Sequence, residues 1–351
     1  MDVSDRRIVI LGKTGVGKSS LANTIFGETP FKVDHSLSSG TQECQAQTSL
    51  VNGRNITLID TPGFFDTNRP EEELKPEIVR CITECAPGPH AFLIVLTWGS
   101  FTEQEQAVIN KIKEYFSEEV FKYTTIIFTH GDQLPEGKKI NDLLHGNKSV
   151  SDLVKKCGDR CHVIDNKYWK NNQQDEYRNN HFQVKELLKT IDNVTGANKG
   201  GCYTNEMLQA VEEKIQQEEE SIRQSPGNMS KEEVRKQAKG TVFNRLSIKL
   251  AGFGTGALLG ALWGLTLGNV TKMAAALGLA AGGKREKALT TLALATAAVV
   301  GAVTGGLKGY EAAEGAGTPW EAAKRAAGVI KDEGLGESQS QPALKQSQNL
   351  K

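Results

Sequence analysis

The sequence predicts an α/β fold, in which a mixed and mostly parallel β-sheet has helices on both faces and is followed by an α-helical C-terminal extension. Near the N-terminus, the apolar run 8–11 leads through a glycine-rich loop into residues with helical spacing, which gives the order strand, loop, helix. Further along, the runs 91–96 and 124–129 are continuously apolar, which is typical of strands buried on both faces of a parallel sheet. Stretches of helical spacing separate these runs. The sheet domain is expected to span residues 5–200.

The loop after the first strand has the pattern Gly-x-x-x-x-Gly-Lys-Ser at residues 12–19. In this context the pattern is typical of a P-loop, whose backbone N–H groups and helix N-terminus surround a phosphate chain. Lys18 is expected to reach the β- and γ-phosphates, and the Ser19 hydroxyl to bind Mg²⁺. A glycine-rich turn that matches by chance is disfavoured, because every fixed position is filled. The predicted nucleoside triphosphate site comprises Gly12, Lys13, Thr14, Gly15, Val16, Gly17, Lys18, Ser19 and Ser20.

Two later segments are placed to contact the γ-phosphate and the metal ion. Thr41 follows the polar stretch 29–40, and its hydroxyl and amide are placed to bind Mg²⁺ and the γ-phosphate as a switch loop does. Asp60 ends an apolar run and opens the sequence Asp-Thr-Pro-Gly. We expect Asp60 to hold Mg²⁺ through a water molecule, and Gly63 to bring its N–H to the γ-phosphate. Ser19, Thr41 and Asp60 are therefore the predicted metal-binding residues.

The segment after Gly63 lacks a residue that small GTPases often use in hydrolysis. Where those proteins often have a glutamine that orients the attacking water, this chain has Phe64, Phe65 and Asp66. Hydrolysis by the isolated domain is expected to be slow unless another residue or a partner chain supplies the missing group. The sequence assigns no catalytic residue, and GTPase activity is left open.

Guanine recognition is predicted from the loops after two later strands. Asp132 follows the run 124–129 and is the one residue that remains of the usual Asn-Lys-x-Asp motif. Its carboxylate can accept hydrogen bonds from N1–H and N2–H₂ of guanine, which adenine does not offer. Asn166 is placed to contact the base from the other side, and His130 to lie against it. A solvent-exposed loop position is the alternative for both. The predicted ligands are GTP or GDP with Mg²⁺.

Composition excludes some other classes of protein. The 42 basic and 42 acidic residues balance, so no overall charge favours nucleic acid. The residues before the P-loop contain no signal-peptide core, and the chain is expected to start in the cytosol. The six cysteines are predicted to be reduced thiols. The spacing of the pairs Cys81/Cys85 and Cys157/Cys161 does not match a zinc site, so packing is favoured over metal binding.

These motifs, in this order, resemble the AIG1-type, immunity-associated (GIMAP) family of GTPases. The most specific match is Pro87-Gly88-Pro89-His90-Ala91 with the later Gly99-x-Phe101-Thr102. The resemblance covers residues 5–200 and implies a Ras-like P-loop G domain, related to septin and chloroplast-import GTPases. It also implies dimerisation across the nucleotide face and membrane-linked members. Family members commonly have a basic residue where this chain has His130.

A helical extension is predicted over residues 203–249. In residues 205–224 a narrow apolar stripe predicts a long surface helix. Ser230 and Glu233 form a capping box for a second helix that is basic toward its end. The basic residues of this helix are Lys231, Arg235, Lys236, Lys239, Arg245 and Lys249.

Residues 250–310 are predicted to form a Gly/Ala-rich hydrophobic helical hairpin that associates with a membrane. Leu250–Thr271 and Ala288–Leu307 contain no charged residue, and each is long enough to cross a hydrocarbon core of about 30 Å. Small residues recur at every fourth position, which allows close helix pairing. Whether the hairpin spans the membrane or is re-entrant stays open, and a soluble helical pair is the alternative. A short helix over 318–331 and a disordered tail over 332–351 are expected to follow.

The predicted function is a GTP-binding switch or scaffold that hydrolyses slowly, dimerises with nucleotide and lies on the cytosolic face of an intracellular membrane. The cytosol is the alternative location. The competing hypothesis is a membrane-tethered assembly module that binds GTP with little or no hydrolysis. The expected partners are guanine nucleotide, a second chain in a homo- or hetero-dimer and the membrane, but no nucleic acid.

Overall fold

The computed structural model describes residues 5–33, 43–64, 70–99, 102–170, 175–224, 229–250 and 258–259 of the 351-residue chain. Within these ranges, six strands form one sheet in the order β2-β3-β1-β4-β5-β6. Strand β2 runs antiparallel to β3, and the other neighbouring strands are parallel. The predicted mixed, mostly parallel sheet is confirmed. The strands are β1 (Asp5–Leu11), β2 (Gln45–Val51), β3 (Arg54–Asp60), β4 (Ala91–Thr97), β5 (Thr124–Thr129) and β6 (Cys161–Val163).

The central strands form the core because both of their faces are covered. All of β5 is buried, and so is β4 up to Leu96, as their continuously apolar sequences predict. Phe92 and Phe128 are among the largest fully buried side chains. Because β1 lies between β3 and β4, the chain reverses its direction of winding at β1, and the loop that follows β1 opens at this switch point.

Helices connect the strands and form the C-terminal extension. The capping box at the start of α3 is confirmed, since Thr102 N–H donates to Glu105 Oε2 at 3.1 Å. The capping box of α9 is also present, since Ser230 N–H donates to Glu233 Oε2 at 2.8 Å. The helices are α1 (Lys18–Phe26), α2 (Glu71–Cys85), α3 (Glu103–Tyr115), α4 (Glu118–Phe121), α5 (Ile140–Leu143), α6 (Lys148–Lys156), α7 (Asn180–Ala197), α8 (Glu206–Gln224) and α9 (Lys231–Lys249).

The segment 87–90 joins the N-terminal ends of β1 and β4 to the segment before α8. His90 Nδ1 accepts from Arg7 N–H at 2.9 Å, and Tyr203 N–H donates to the Pro89 carbonyl at 2.8 Å. A side chain at Gly88 would collide with the Tyr203 carbonyl. This block therefore serves the docking of the C-terminal segment and lies at the opposite end of the sheet from the loop that follows β1.

The cysteines among the described residues pack as reduced thiols. Cys44, Cys81 and Cys85 are buried in one cluster, where hydrogen bonds to Cys44 and Cys85, together with burial, raise the pKa of Cys81 well above its usual value. Burial raises the pKa of Cys157 and of Cys161 to about 12. Thiols held protonated in this way are poor nucleophiles and poor metal ligands.

By its contacts the chain divides into two units, residues 1–243 with 255–282 and residues 244–254 with 283–351. In the described part of the chain, no helix has the length and apolar character needed to cross a bilayer. The predicted hairpin over 250–310 lies outside the described residues except for Leu250, Leu258 and Leu259. The helix predicted over 318–331 and the tail over 332–351 lie outside them as well.

Candidate nucleotide-binding site

The loop between β1 and α1 surrounds the ammonium group of Lys18. Helix α1 begins at Lys18, and its N-cap Gly17 has a left-handed backbone with φ of 92°, which favours glycine. Lys18 is 5% exposed, and its Nζ donates to the carbonyls of Gly12 at 3.1 Å and Lys13 at 3.0 Å. The ammonium group therefore lies over the loop, in front of the helix N-terminus.

Ser19 and Asp60 meet at the carboxyl ends of β1 and β3. These strands are adjacent and parallel, so the loop after β1 and the end of β3 share one edge of the sheet. Ser19 Oγ donates to Asp60 Oδ2 at 2.5 Å, and both residues are buried. A hydroxyl and a carboxylate are the hard oxygen ligands that Mg²⁺ prefers, so the pair fits the predicted metal role. The third predicted metal residue, Thr41, lies outside the described residues.

Gly63 approaches the phosphate loop so closely that a side chain would not fit. A Cβ at this position would collide with Thr14 Oγ1 and lie 2.9 Å from Thr14 N. Thr14 Oγ1 is itself buried with no hydrogen-bond partner among the described residues. The next residue, Phe64, is 3% exposed and packs in the core, so its side chain cannot orient a water molecule.

The side chain of Lys13 is engaged away from the loop. Its ammonium forms an ion pair with Glu105 at the start of α3, and Glu105 also accepts from Thr102. Burial raises the pKa of Glu105, but the hydrogen bonds from Lys13 and Thr102 outweigh it and hold the pKa below its usual value. In this arrangement the ammonium of Lys13 is occupied by Glu105. The sequence pointed to Glu105 only as a helix cap.

The loops after β5 and β6 form the predicted base-recognition side. Asp132 lies exposed in a short 3₁₀ turn directly after β5, and the preceding His130 is exposed with a left-handed backbone of φ 61°. Asp132 N–H donates to Asp165 Oδ2 at 3.3 Å. Burial and the neighbouring Asp165 carboxylate raise the pKa of Asp132 above its usual value. Asp165 and the buried Trp169, which packs against Gly131, were not predicted from the sequence.

Asn166 connects the base-recognition side to the phosphate loop. Its Oδ1 lies 3.1 Å from the hydroxyl of Thr24 on α1, and that hydroxyl lies 2.9 Å from the Ser20 carbonyl. Its amide nitrogen lies beside Gly17. The structure thus brings Asn166 into contact with the phosphate loop and ties its side chain to α1. Thr24 was missed because nothing in its local sequence marks it.

The sheet order, the loop around Lys18, the Ser19–Asp60 contact and an aspartate turn after β5 define a P-loop protein of the G-domain class. The AIG1 family model matches residues 6–223, more than half of the 351-residue chain. The chain belongs to the AIG1 family, so the predicted resemblance is confirmed. The match extends past residue 200 and includes nearly all of α8.

Two relatives support this assignment by sequence. The chain is 31% identical over 240 residues to immune-associated nucleotide-binding protein 13 of Arabidopsis thaliana, covering 67% of this chain and 70% of that one. It is 30% identical over 203 residues to human GTPase IMAP family member 8, covering 58% of this chain but only 30% of that protein. Among solved structures, Toc33 from Arabidopsis thaliana in complex with GDP and Mg²⁺ has a TM-score of 0.44 and 21% identity, covering 56% of this chain and 86% of that one.

Proposed function

We propose that the chain binds GTP and GDP with Mg²⁺ and acts as a slow, nucleotide-dependent dimerising switch or scaffold. The observation that carries this proposal is the contact of Ser19 Oγ with Asp60 Oδ2 beside the N-terminus of α1. It joins the phosphate loop to the Asp-Thr-Pro-Gly segment, the two parts that a triphosphate site needs. The printed names of the relatives, a nucleotide-binding protein and a GTPase, support the same class of ligand.

Each half of the site has its own task. Lys18 and the N–H groups at the start of α1 hold the phosphates, and Ser19, Thr41 and Asp60 hold the metal ion. When bound, Mg²⁺ neutralises charge on the β- and γ-phosphates. Asp132 accepts from the guanine N–H groups. His130 and Asn166 lie near the base in this proposal. Asn166 is held there by its contacts with α1.

Slow hydrolysis follows from the absence of a polar side chain at residue 64. Phe64 is buried, so the group that orients water must come from another residue or from a second chain. A dimer across the nucleotide face would supply such a group, and hydrolysis would then depend on protein concentration. The second candidate function is an assembly module that binds GTP to control dimerisation and hardly hydrolyses it.

We place this activity on the cytosolic face of an intracellular membrane, with the cytosol as the alternative. The support is the sequence alone, namely the two uncharged stretches within residues 250–310 and their regular small residues. In this arrangement residues 5–200 form the G domain and residues 203–249 the helical extension that leads to the hairpin.

Single-turnover hydrolysis of GTP, measured over a wide range of protein concentration, tests the proposal. The slow switch or scaffold gives a rate constant that rises as dimers form, and the assembly module gives a rate near zero at every concentration. A fast rate that is independent of concentration would refute both the slow hydrolysis and its dependence on dimers. The binding of GDP, measured on the same protein samples, shows whether the nucleotide site is able to bind.

A further inference from the structure

Asp165 lies between the two loops of the base-recognition side and contacts both. Its Oδ2 accepts from Asp132 N–H at 3.3 Å, across the gap between the ends of β5 and β6. Its Oδ1 accepts from Lys167 N–H at 2.8 Å and from Tyr168 N–H. One buried carboxylate, 2% exposed, therefore holds the turn that presents Asp132 and closes the turn that contains Asn166.

The backbone of Asp165 is fixed as firmly as its side chain. Its N–H donates to Asn180 Oδ1 at 3.2 Å, and Asn180 Nδ2 donates to its carbonyl at 2.6 Å. Asn180 is buried in the first turn of α7, and its own N–H donates to the Trp169 carbonyl at 3.0 Å. The backbone of Asp165 is thus held by the first turn of α7.

The charge of Asp165 is stabilised by these contacts. Burial raises the pKa of Asp165, but a hydrogen bond with the Asp132 side chain, together with hydrogen bonds from the N–H groups of Tyr168, Lys167 and Asp132, outweighs burial and keeps the pKa below its usual value. The ionised carboxylate can accept from donors on both loops at once, which a hydroxyl or an amide cannot do with the same geometry.

We propose that Asp165 is a positioning residue for guanine selectivity, which orients Asp132 through its N–H while it shapes the turn at Asn166. This inference rests on the proposed function, because it assumes that Asp132 reads the base. Two substitutions separate the two tasks of Asp165. In Asp165→Asn, Oδ1 can still accept from Lys167 and Tyr168. The side-chain NH₂ group then faces the Asp132 N–H, and no hydrogen bond forms because both groups are donors. In Asp165→Ser, the hydroxyl can close the local turn but is too short to reach Asp132.

The test is a double-mutant cycle on nucleotide affinity with the full chain. The dissociation constants of GDP and of inosine diphosphate, which lacks the 2-amino group, are measured for the parent, Asp165→Asn, Asp165→Ser, Asp132→Ala and the two double variants. Asp159→Asn is the matched control. It makes the same chemical change in an exposed turn where asparagine tolerates the left-handed backbone of φ 57°.

We expect both Asp165 variants to bind GDP roughly tenfold or more weakly and to lose most of the preference for GDP over inosine diphosphate. In the Asp132→Ala background the same substitutions should change GDP affinity less than about threefold, because the residue they position is absent. A purely structural role predicts instead equal losses for both nucleotides and additive effects, and this result would overturn the proposal. Retained GDP preference in both variants would overturn it as well. ADP is titrated against the parent as well, and if the parent shows no preference for GDP over ADP, the proposed function fails and the inference fails with it.

Discussion

At the scale of single residues, the task proposed for Asp132 is the most specific, because a carboxylate accepts from N–H groups that guanine has and adenine lacks. Asp132 is exposed, its carboxyl group is in hydrogen-bond contact with that of Asp165, and its backbone N–H donates to Asp165 Oδ2. The motif spacing predicted its position after β5. Asp165 could not be predicted, because its bond to Asp132 joins residues 33 positions apart that become neighbours only when β5 and β6 pair. The contact of Lys13 with Glu105 could not be predicted for the same reason, because the two residues are 92 positions apart in the sequence.

The substitution Asp132→Asn should weaken GDP binding and favour xanthosine diphosphate. An amide cannot accept from both N–H groups of guanine, whereas it can donate to the carbonyl that xanthine has in place of the 2-amino group. The loss for GDP should be roughly 1.5–3 kcal/mol, the value of hydrogen bonds to a charged group. Calorimetric titration with both nucleotides measures it, and GDP binding as tight as that of the parent would show that Asp132 does not read the base.

His90 should make stability depend on pH. Burial, together with the charges of Arg7 and Arg6, lowers the pKa of His90 to about 4 from an ordinary value near 6.5, and its Nδ1 must stay unprotonated to accept from Arg7 N–H. The folded pKa is the lower one, so this contribution is complete above pH 6.5 and is lost as the pH falls toward 4. The slope contributed by one such group is at most about 1.4 kcal/mol per pH unit.

The comparison variant is His90→Asn, whose Oδ1 can accept the same bond without titrating in this range. Unfolding of the parent and the variant is followed between pH 4 and 8. The parent should lose stability more steeply below pH 6.5. His162, whose pKa burial also lowers to about 4, keeps its own effect in both proteins. Parallel curves would mean that His90 is not buried in its neutral form.

At the scale of elements, the strands were predicted well where burial imposes a continuous apolar run, as in β4 and β5. Short helices were not predicted. Helix α4 has only four residues, and α6 depends on a cap in which Asn147 accepts from Val150 N–H at 3.1 Å. The basic residues of α9 include two that are already used within the protein. Arg235 pairs with Glu212 at 2.7 Å and Glu219 at 2.8 Å on α8, and Lys239 pairs with Glu84 at 2.9 Å on α2.

Removing Arg235 should therefore loosen α9 from α8. Arg235→Met removes the cation shared by two largely buried carboxylates, and leaves Glu212 with Gln216 and Glu219 with Arg223. We expect a loss of about 1–3 kcal/mol in the free energy of unfolding, less than for fully buried pairs because the site is partly exposed. Faster proteolysis between α8 and α9 should accompany this loss. The exposed neighbour Lys236 provides the control, Lys236→Met, which should change stability by less than about 0.5 kcal/mol. Equal stability of the two variants would contradict the role of these pairs.

At the scale of the whole molecule, the proposed hairpin determines where the G domain acts. If residues 250–310 enter a membrane, the full chain should stay in the membrane pellet through a carbonate wash, and a chain truncated after Lys249 should become soluble. Insertion follows from two uncharged stretches that are each long enough to cross the hydrocarbon core. Recovery of the full chain in the soluble fraction would contradict the membrane proposal and favour the cytosol.

The two forms of the hairpin differ in where its basic loop lies. A spanning hairpin places residues 284–287 on the side away from the G domain, and a re-entrant hairpin keeps them at the cytosolic headgroups, as the positive-inside tendency favours. A protease-cleavable tag inserted at Lys284, with protease added to sealed vesicles, distinguishes the two forms of the hairpin. Cleavage from outside indicates the re-entrant form, and protection indicates a spanning pair.

We propose that this AIG1-family chain binds guanine nucleotides and that its phosphate site is built on Lys18. An equilibrium titration of the full chain with GTP and with ATP, each with Mg²⁺, tests this for the parent and for Lys18→Ala, with circular dichroism to check that both are folded. We predict a preference for GTP over ATP of at least about 100-fold in the parent, and a loss of GTP affinity of roughly 100-fold in the folded variant. Equal affinity of the parent for the two nucleotides, or unchanged GTP affinity in Lys18→Ala, would contradict the account.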